Sequence, residues 1–275
     1  MSLAGVAQET LRIIKQGEYV APSGRTVSVR EPVEQAVRGT VLYRPADFER
    51  LESRASPGGA LRVEVTPEKT GEASRRLIEE EGVEDVLALN FASARNPGGG
   101  FLRGAKAQEE DLARCSALYE CLLTQRDYYD VNRAEPSLLY TDHLIYSPGV
   151  PFFRNEQLEL LERPFHVSVL TAPAPNAGAA LQKDSGLRPR IREVLHSRAL
   201  KVLQVAAHRK HRTLVLGAWG CGAFRNDPVE AAGAFAAALS ALPGVFERVV
   251  FAVYERGGEG PNLRAFRERF GQRPS

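Results

Sequence analysis

Two segments of the 275-residue chain combine residue types that bind anions and move protons. The first reads Asn90-Phe-Ala-Ser-Ala-Arg-Asn-Pro-Gly-Gly-Gly-Phe, and seven residues separate Gly100 from Gln108-Glu109-Glu110. The second reads Leu216-Gly-Ala-Trp-Gly-Cys-Gly-Ala-Phe-Arg-Asn-Asp-Pro. Gly98, Gly99 and Gly100 let the main chain approach a ligand closely and turn its N–H groups inward. Gly217, Gly220 and Gly222 offer the same freedom. A helix starting just beyond each loop adds further donors and a positive dipole end. Either loop alone reads equally well as a tight strand-to-helix turn. Two of them together favour phosphate binding, and two facing cradles suit a diphosphate better than a single phosphate.

Carboxylates beside an anion cradle repel the ligand, so Glu109 and Glu110 need a reason. One reason is an acidic first helical turn that complements the dipole. The other is general acid–base work on a ribose next to the diphosphate. Helical spacing puts Gln108 on the core face with Leu112 and Glu110 nearly opposite, so packing does not account for Glu110. Other nucleotide and hydrolase motifs fail. Gly99 and Gly104 have Walker spacing, but Ala105 stands where a lysine is required. The dinucleotide pattern breaks at Arg103 and again at Arg225, and there is no GxSxG elbow. Cys221 is read as a small residue in a tight loop, because no partner histidine is identifiable. His208 and His211 share a helical spacing, which is read as a basic helix end and not a metal pair.

Both loops sit in the same local context, after a buried strand and before a helix. Ser2 caps a first helix that Gly17 ends. Residues 18–60 read as irregular, with short strands at Thr26 to Val29 and Thr40 to Tyr43, a short helix opened by Pro45, and a breaker at 56–59. From Leu61 the pattern becomes regular. A strand at 61–65 precedes an amphipathic helix over 70–81 closed at Gly82. Val86 to Ala92 is a near-continuous apolar run, as a strand covered on both faces should be. One helix is predicted from Ala105 to Thr124, with its apolar stripe at Leu112, Cys115, Tyr119 and Leu122. Further strands fall at 138–147, 165–171, 213–217 and 248–254, and helices at 187–210, 228–242 and 262–270. Residues 172–186 read as a loop. Strands alternating with helices imply a mostly parallel, covered sheet, with ligands outside the carboxyl ends of its strands.

The composition limits the alternatives. Hydrophobic residues at 43% and charged residues at 25% describe an ordinary globular chain and exclude wholesale disorder. The formal charge of +2, from 36 basic and 34 acidic residues, gives no large basic face for nucleic acid. No apolar run approaches a membrane span, and the N-terminal residues do not read as a signal peptide. Cys115, Cys121 and Cys221 form no CxxC, so neither a disulfide framework nor a zinc site is expected. These features imply a reducing, cytoplasmic setting.

The spacing of Gly98-Gly-Gly100 and Gln108-Glu109-Glu110, with the flanking NFASARNPGGGFLRGAKAQEE and the distal LGAWGCGAFRNDP, resembles bacterial-type poly(ADP-ribose) glycohydrolases. The resemblance runs over most of the chain. It implies a macrodomain-like three-layer α/β/α fold with a mixed, mostly parallel sheet: an N-terminal helical extension over 1–60 packed on a catalytic core over 61–275. It implies hydrolysis of ribose–ribose O-glycosidic bonds in poly(ADP-ribose), mainly from chain ends, with release of ADP-ribose. Glu110 would be the acid/base, with Glu109 and Gln108 holding the ribose and the loop. Gly98, Gly99 and Gly100 would line the diphosphate. Gly217, Ala218, Trp219, Gly220, Cys221, Gly222, Ala223 and Phe224 would form the second phosphate loop, with Phe224 on the terminal ribose and Trp219 fixing the loop. Asn90 reads either as a ribose contact or as a structural strand-end residue, and Tyr254 either as an adenine contact or as core. No metal or cofactor is expected, and the partners would be ADP-ribose polymer and proteins carrying it, with the chain a monomer. A non-enzymatic ADP-ribose reader and a hydrolase of single ADP-ribosyl units on proteins are the competing readings.

Overall fold

The computed structural model describes residues 1–51 and 60–271. The expected breaker at 56–59 lies outside these residues. Helix α1 (Leu3–Gln16) starts where the Ser2 hydroxyl accepts the Gly5 N–H at 3.1 Å, and it ends at Gly17 with φ 77°. A hairpin of β1 (Glu18–Val20) and β2 (Thr26–Ser28) leads to α2 (Arg30–Gly39), β3 (Val41–Tyr43) and a short 3-10 turn over Pro45–Arg50. Next come β4 (Arg62–Thr66), α3 (Thr70–Arg75) widening into a π turn over Arg76–Glu80, and β5 (Val86–Phe91). Then come α4 (Gln108–Cys115), α5 (Leu118–Leu123), α6 (Arg126–Ala134), β6 (Leu144–Arg154) and β7 (Leu160–Ala172). The chain continues through α7 (Ala177–Lys183), α8 (Arg188–His208), β8 (Thr213–Leu216), α9 (Pro228–Ala241), β9 (Arg248–Ala252) and α10 (Pro261–Phe270).

Seven strands form one sheet in the order β3-β6-β7-β5-β8-β9-β4. The pairs β7-β5, β5-β8, β8-β9 and β9-β4 are parallel, and only β6 runs against its neighbours. Period-two alternation sends successive side chains to opposite faces. Leu87, Leu89, Leu214, Leu216, Val249 and Phe251 meet the core residues of α8, α9 and α10, including Leu203, Phe235 and Phe266. Val86, Ala88, Val215 and Val250 point the other way, into a second core with Ala73, Leu77, Leu112 and Leu118. Both faces are therefore covered, as the apolar runs require.

Four sequence expectations change. Residues 30–39 are helical, not irregular. The segment buries only Val33 and Ala36, and Pro32 sits in the first turn, where a missing N–H costs nothing. The helix expected over 105–124 is two helices. At Ser116 the chain becomes extended (φ −144°, ψ 179°) and bridges Phe152 of β6, while the Ser116 hydroxyl donates back to the Leu112 carbonyl at 2.7 Å. The strand expected over 138–147 begins only at Leu144, and it and the one expected over 165–171 are parts of a longer β6–β7 hairpin, whose pattern Pro148, Gly149 and Pro151 interrupt. The register slips between Ser147 and Val150. Part of the expected loop at 172–186 is α7, opened when the Asn176 side chain accepts the Ala179 N–H at 3.2 Å. His208 and His211 also part company. His208 is exposed, and His211 is buried between Asp85 and the Tyr146 hydroxyl, 2.9 Å from its Nε2.

Helix α1 packs directly behind the first glycine-rich loop. Ala7 shares a small core with Phe101 and Ala113, all fully buried. The Thr10 hydroxyl donates to the Arg114 carbonyl of α4 at 2.7 Å, and the Arg154 guanidinium reaches Glu9 from β6. Thr10→Val keeps the shape but leaves that buried carbonyl without its donor. It is expected to cost about 1–3 kcal/mol in urea denaturation; an unchanged midpoint would show that α1 does not brace α4 through this bond.

Candidate active site

The parallel strands β5, β7, β8 and β9 all end on one side of the sheet, with Phe91 beside Ala172 and Leu216 beside Phe251. Both glycine-rich loops leave from there. On one side β5 stays paired with β7 as far as Phe91, but on the other its pairing with β8 stops at Ala88. Gln108, the first residue of α4, fills the place of the missing neighbour. Its Oε1 accepts the Phe91 N–H at 2.8 Å, and its Nε2 donates to the Leu89 carbonyl at 2.7 Å and to Thr70 Oγ1 at 3.0 Å. The core-face placement of Gln108 is thus explained by main-chain pairing, and the amide fixes the start of α4 against the end of β5.

Glu109 and Glu110 come next in the first turn, and both are buried. Glu109 is 3% exposed; its Oε2 accepts the Ser93 N–H at 2.7 Å and its Oε1 accepts from Asn90 Nδ2 at 3.2 Å. Asn90 is itself fully buried and donates also to Thr171 Oγ1 of β7 at 3.1 Å. Glu110 Oε1 accepts the Gly100 N–H at 2.9 Å. The first loop is therefore not an empty anion cradle: amides of Ser93 and Gly100 are taken up by the two carboxylates. Gly99 lies between them. Its φ is 58°, and a Cβ there would stand 2.3 Å from Glu110 Oε1 and 3.2 Å from Glu109 Oε2. Burial is the largest influence on Glu109 and lifts its carboxyl up to about 8; the Ser93 and Asn90 donors pull it down, and the charge of Glu110 raises it.

The second loop is built differently. Trp219 turns inward, fully buried, and its Nε1 donates to the Ala172 carbonyl at 3.1 Å. Asn226 Nδ2 donates to the Pro175 and Gly220 carbonyls at 2.8 and 3.0 Å. Gly220 has φ 74°, and a Cβ there would meet Ala174 Cβ at 2.5 Å. Within the loop the N–H groups of Trp219, Cys221, Arg225 and Asn226 bond to loop carbonyls. Those of Gly220, Gly222, Ala223 and Phe224 donate to no acceptor among the described residues. This loop is the open cradle. Burial pushes the Cys221 thiol up to about 12, so it is no thiolate nucleophile at neutral pH. Phe224 is half-buried against the Tyr140 ring, with centroids 5.8 Å apart. Tyr254 is 55% exposed just beyond β9, with Lys69 Nζ 5.7 Å from its ring centroid, so it is not a core tyrosine. Two buried oxygens at the site, Asn90 Oδ1 and Asn226 Oδ1, have no hydrogen-bond partner among the described residues. Among the described residues no three His, Cys, Asp or Glu side chains gather as a metal-binding group.

Sequence reasoning passed over Ser93, Thr171, Asn226 and Tyr140. Ser93 and Asn226 lie inside the motif segments, but nothing in their types marks one as an amide donor and the other as a loop clamp. Thr171 comes to Asn90 only through the register of β5 with β7.

A mixed, mostly parallel sheet covered by helices, with paired carboxylates and an amide-lined loop at its crest, defines a macrodomain-type enzyme. The model of the family described as microbial-type PARG, catalytic domain, matches residues 7–155. The chain belongs to this family of poly(ADP-ribose) glycohydrolases. It is similar to the poly(ADP-ribose) glycohydrolase of Thermomonospora curvata at 48% identity, covering 98% of this chain and 99% of that one, with a TM-score of 0.91. The same enzyme bound to the inhibitor ADP-HPD gives 47% identity over 98% and 99% of the two chains and a TM-score of 0.89. The Deinococcus radiodurans enzyme in complex with ADP-ribose gives 47% identity over 88% and 98%, and a TM-score of 0.82. Among curated proteins, none matches the chain.

Gly99→Ala is expected to cost about 1–3 kcal/mol from the left-handed backbone alone and to swing the Glu110 carboxyl off the Gly100 amide. A crystal structure of the variant with Glu110 unmoved would contradict this. Glu109 gives a pH dependence. A carboxyl whose folded pKa exceeds its unfolded value, about 4.3, stabilises fully below that value and loses the contribution as pH rises through about 8. Stability should therefore fall across this window, and Glu109→Gln should remove about one proton's worth of the slope. Denaturant midpoints at stepped pH measure it, and an identical slope in the variant would refute a raised Glu109.

Proposed function

We propose that the chain hydrolyses ribose–ribose O-glycosidic bonds of poly(ADP-ribose), mainly from chain ends, releasing ADP-ribose and so reversing poly-ADP-ribosylation. The observation that carries this reading is the pairing of a locked dicarboxylate with an open amide loop at one end of the sheet. The ADP-ribose and ADP-HPD complexes of the two bacterial enzymes support it. Gly220, Gly222, Ala223 and Phe224 present donors to the diphosphate. Phe224 packs on the terminal ribose, and Tyr254 offers an exposed ring to the adenine. Asn90 and Glu109 hold the ribose nearest the scissile bond.

Glu110 supplies the proton. The Gly100 amide occupies Oε1, which leaves Oε2 to carry a proton to the departing 2′-oxygen as the bond to the anomeric carbon breaks. The oxocarbenium-like centre is stabilised by the neighbouring diphosphate, which the second loop fixes beneath it. The Glu110 carboxylate then takes a proton from water as the water's oxygen bonds to the anomeric carbon. The acid is restored and the free ribose hydroxyl formed.

A reader without activity would have no use for a carboxyl held at Gly99, where it excludes every side chain but hydrogen. A hydrolase of single ADP-ribosyl units is separated by comparing release from polymer with release from mono-modified protein. Glu110→Gln is expected to keep ADP-ribose affinity within about twofold and to lose about 10²- to 10⁴-fold in turnover of purified poly(ADP-ribose). Turnover near that of the wild type would remove Glu110 from the mechanism.

A further inference from the structure

The root of the second loop is held by Trp219 and by the packing of Ala218 and Cys221 on the main core. Its far end, from Gly220 to Asn226, rests on Tyr140, the stretch Pro173–Asn176 and the start of α7. The Phe224 carbonyl accepts the Gly178 N–H of α7 at 2.9 Å, its ring meets Tyr140, and Asn226 and Gly220 rest on Pro175 and Ala174. Tyr140 holds a left-handed backbone, φ 59°, which is strained for a non-glycine residue. Something must hold these segments.

Arg198 does so. It lies in the middle of α8, 1% exposed, and its guanidinium is committed to the two segments that back the loop. Nε donates to Asp142 Oδ1 at 2.8 Å, Nη1 to the Leu139 and Pro173 carbonyls at 3.0 and 2.8 Å, and Nη2 to the Tyr140 carbonyl at 3.2 Å. The Asn176 N–H donates to the Leu138 carbonyl at 2.8 Å and closes the two segments on each other. A buried charge is a poor way to gain stability, since well-packed apolar residues often do better. A planar fork of donors is, however, well suited to fixing three carbonyls from two segments at once.

We propose that Arg198 and Tyr140 are positioning residues for the second loop. Arg198 pins the Tyr140 turn, and the Tyr140 ring sets the angle at which Phe224 meets the terminal ribose, and so the alignment of the scissile bond with Glu110. This rests on the activity proposed above and extends it to residues outside both sequence motifs. Displacements of about 1 Å far from the chemistry can cost two orders of magnitude in rate.

The test is a cycle of Tyr140→Ala, Phe224→Ala and the double variant, with Tyr140→Phe and Arg198→Lys beside it. Tyr140→Ala is expected to lower kcat on poly(ADP-ribose) about tenfold and to weaken ADP-ribose binding only about threefold at full calorimetric stoichiometry. Tyr140→Phe, which keeps the ring, should restore both. Arg198→Lys should repeat the kcat loss if it folds; the Tyr140 variants decide the matter if it does not. In the Phe224→Ala background Tyr140→Ala should cost nothing more, because its effect passes through Phe224. Additive losses, a defect in Tyr140→Phe equal to that of Tyr140→Ala, or wild-type kinetics in Tyr140→Ala would overturn the link. The cycle is run on ADP-ribose affinity as well as turnover. A wild-type chain inert toward the polymer would sink the activity alone, whereas additivity in affinity would sink the link.

Discussion

Two adjacent carboxyl groups taken out of water must be given donors, and most of the geometry at the crest of the sheet derives from that need. Ser93, Gly100 and Asn90 supply the donors. Each is placed by something else: Asn90 by its register with Thr171, Gly100 by the glycine turn, and Ser93 by the chain leaving β5. Gln108 then ties the helix that bears both acids to the strand that bears Asn90. Burial without such donors would cost several kcal/mol per ion. With them, the site holds two carboxyls at fixed positions, with Oε1 of Glu110 bound to the Gly100 amide.

The two glycine-rich loops look alike in sequence and do opposite jobs. In the first, glycine clears space for carboxylates that have already claimed the amides. In the second, the amides of Gly220 and Gly222 to Phe224 are left for a ligand, while Trp219 and Asn226 anchor the turn from beneath. In the proposed reaction the first loop places the proton-transfer groups and the second receives negative charge, a division that keeps like charges apart.

Features governed by local rules were legible in the sequence. Near-continuous apolar runs marked the central strands β5, β8 and β9, and the Ser2 cap and Pro228 marked the starts of α1 and α9. The signature loops pointed to a diphosphate and to a carboxylate pair. Features set by contacts distant in the chain were not readable. Ser116 leaves helical geometry because β6 offers it a bridge. Glu110 looked solvent-facing on a helical wheel of α4, yet the first loop folds over it and buries it. Arg198 is one of several basic residues on a long helix, and nothing local says that three carbonyls converge on it.

The ladder between β5 and β8 halts after Ala88, and a glutamine side chain stands in for the next rung. The first turn of α4 is thereby sewn to the sheet by a single amide. Losing that amide would strand the Phe91 N–H and the Leu89 carbonyl together and cut both glutamates loose from their strand, without altering either acid.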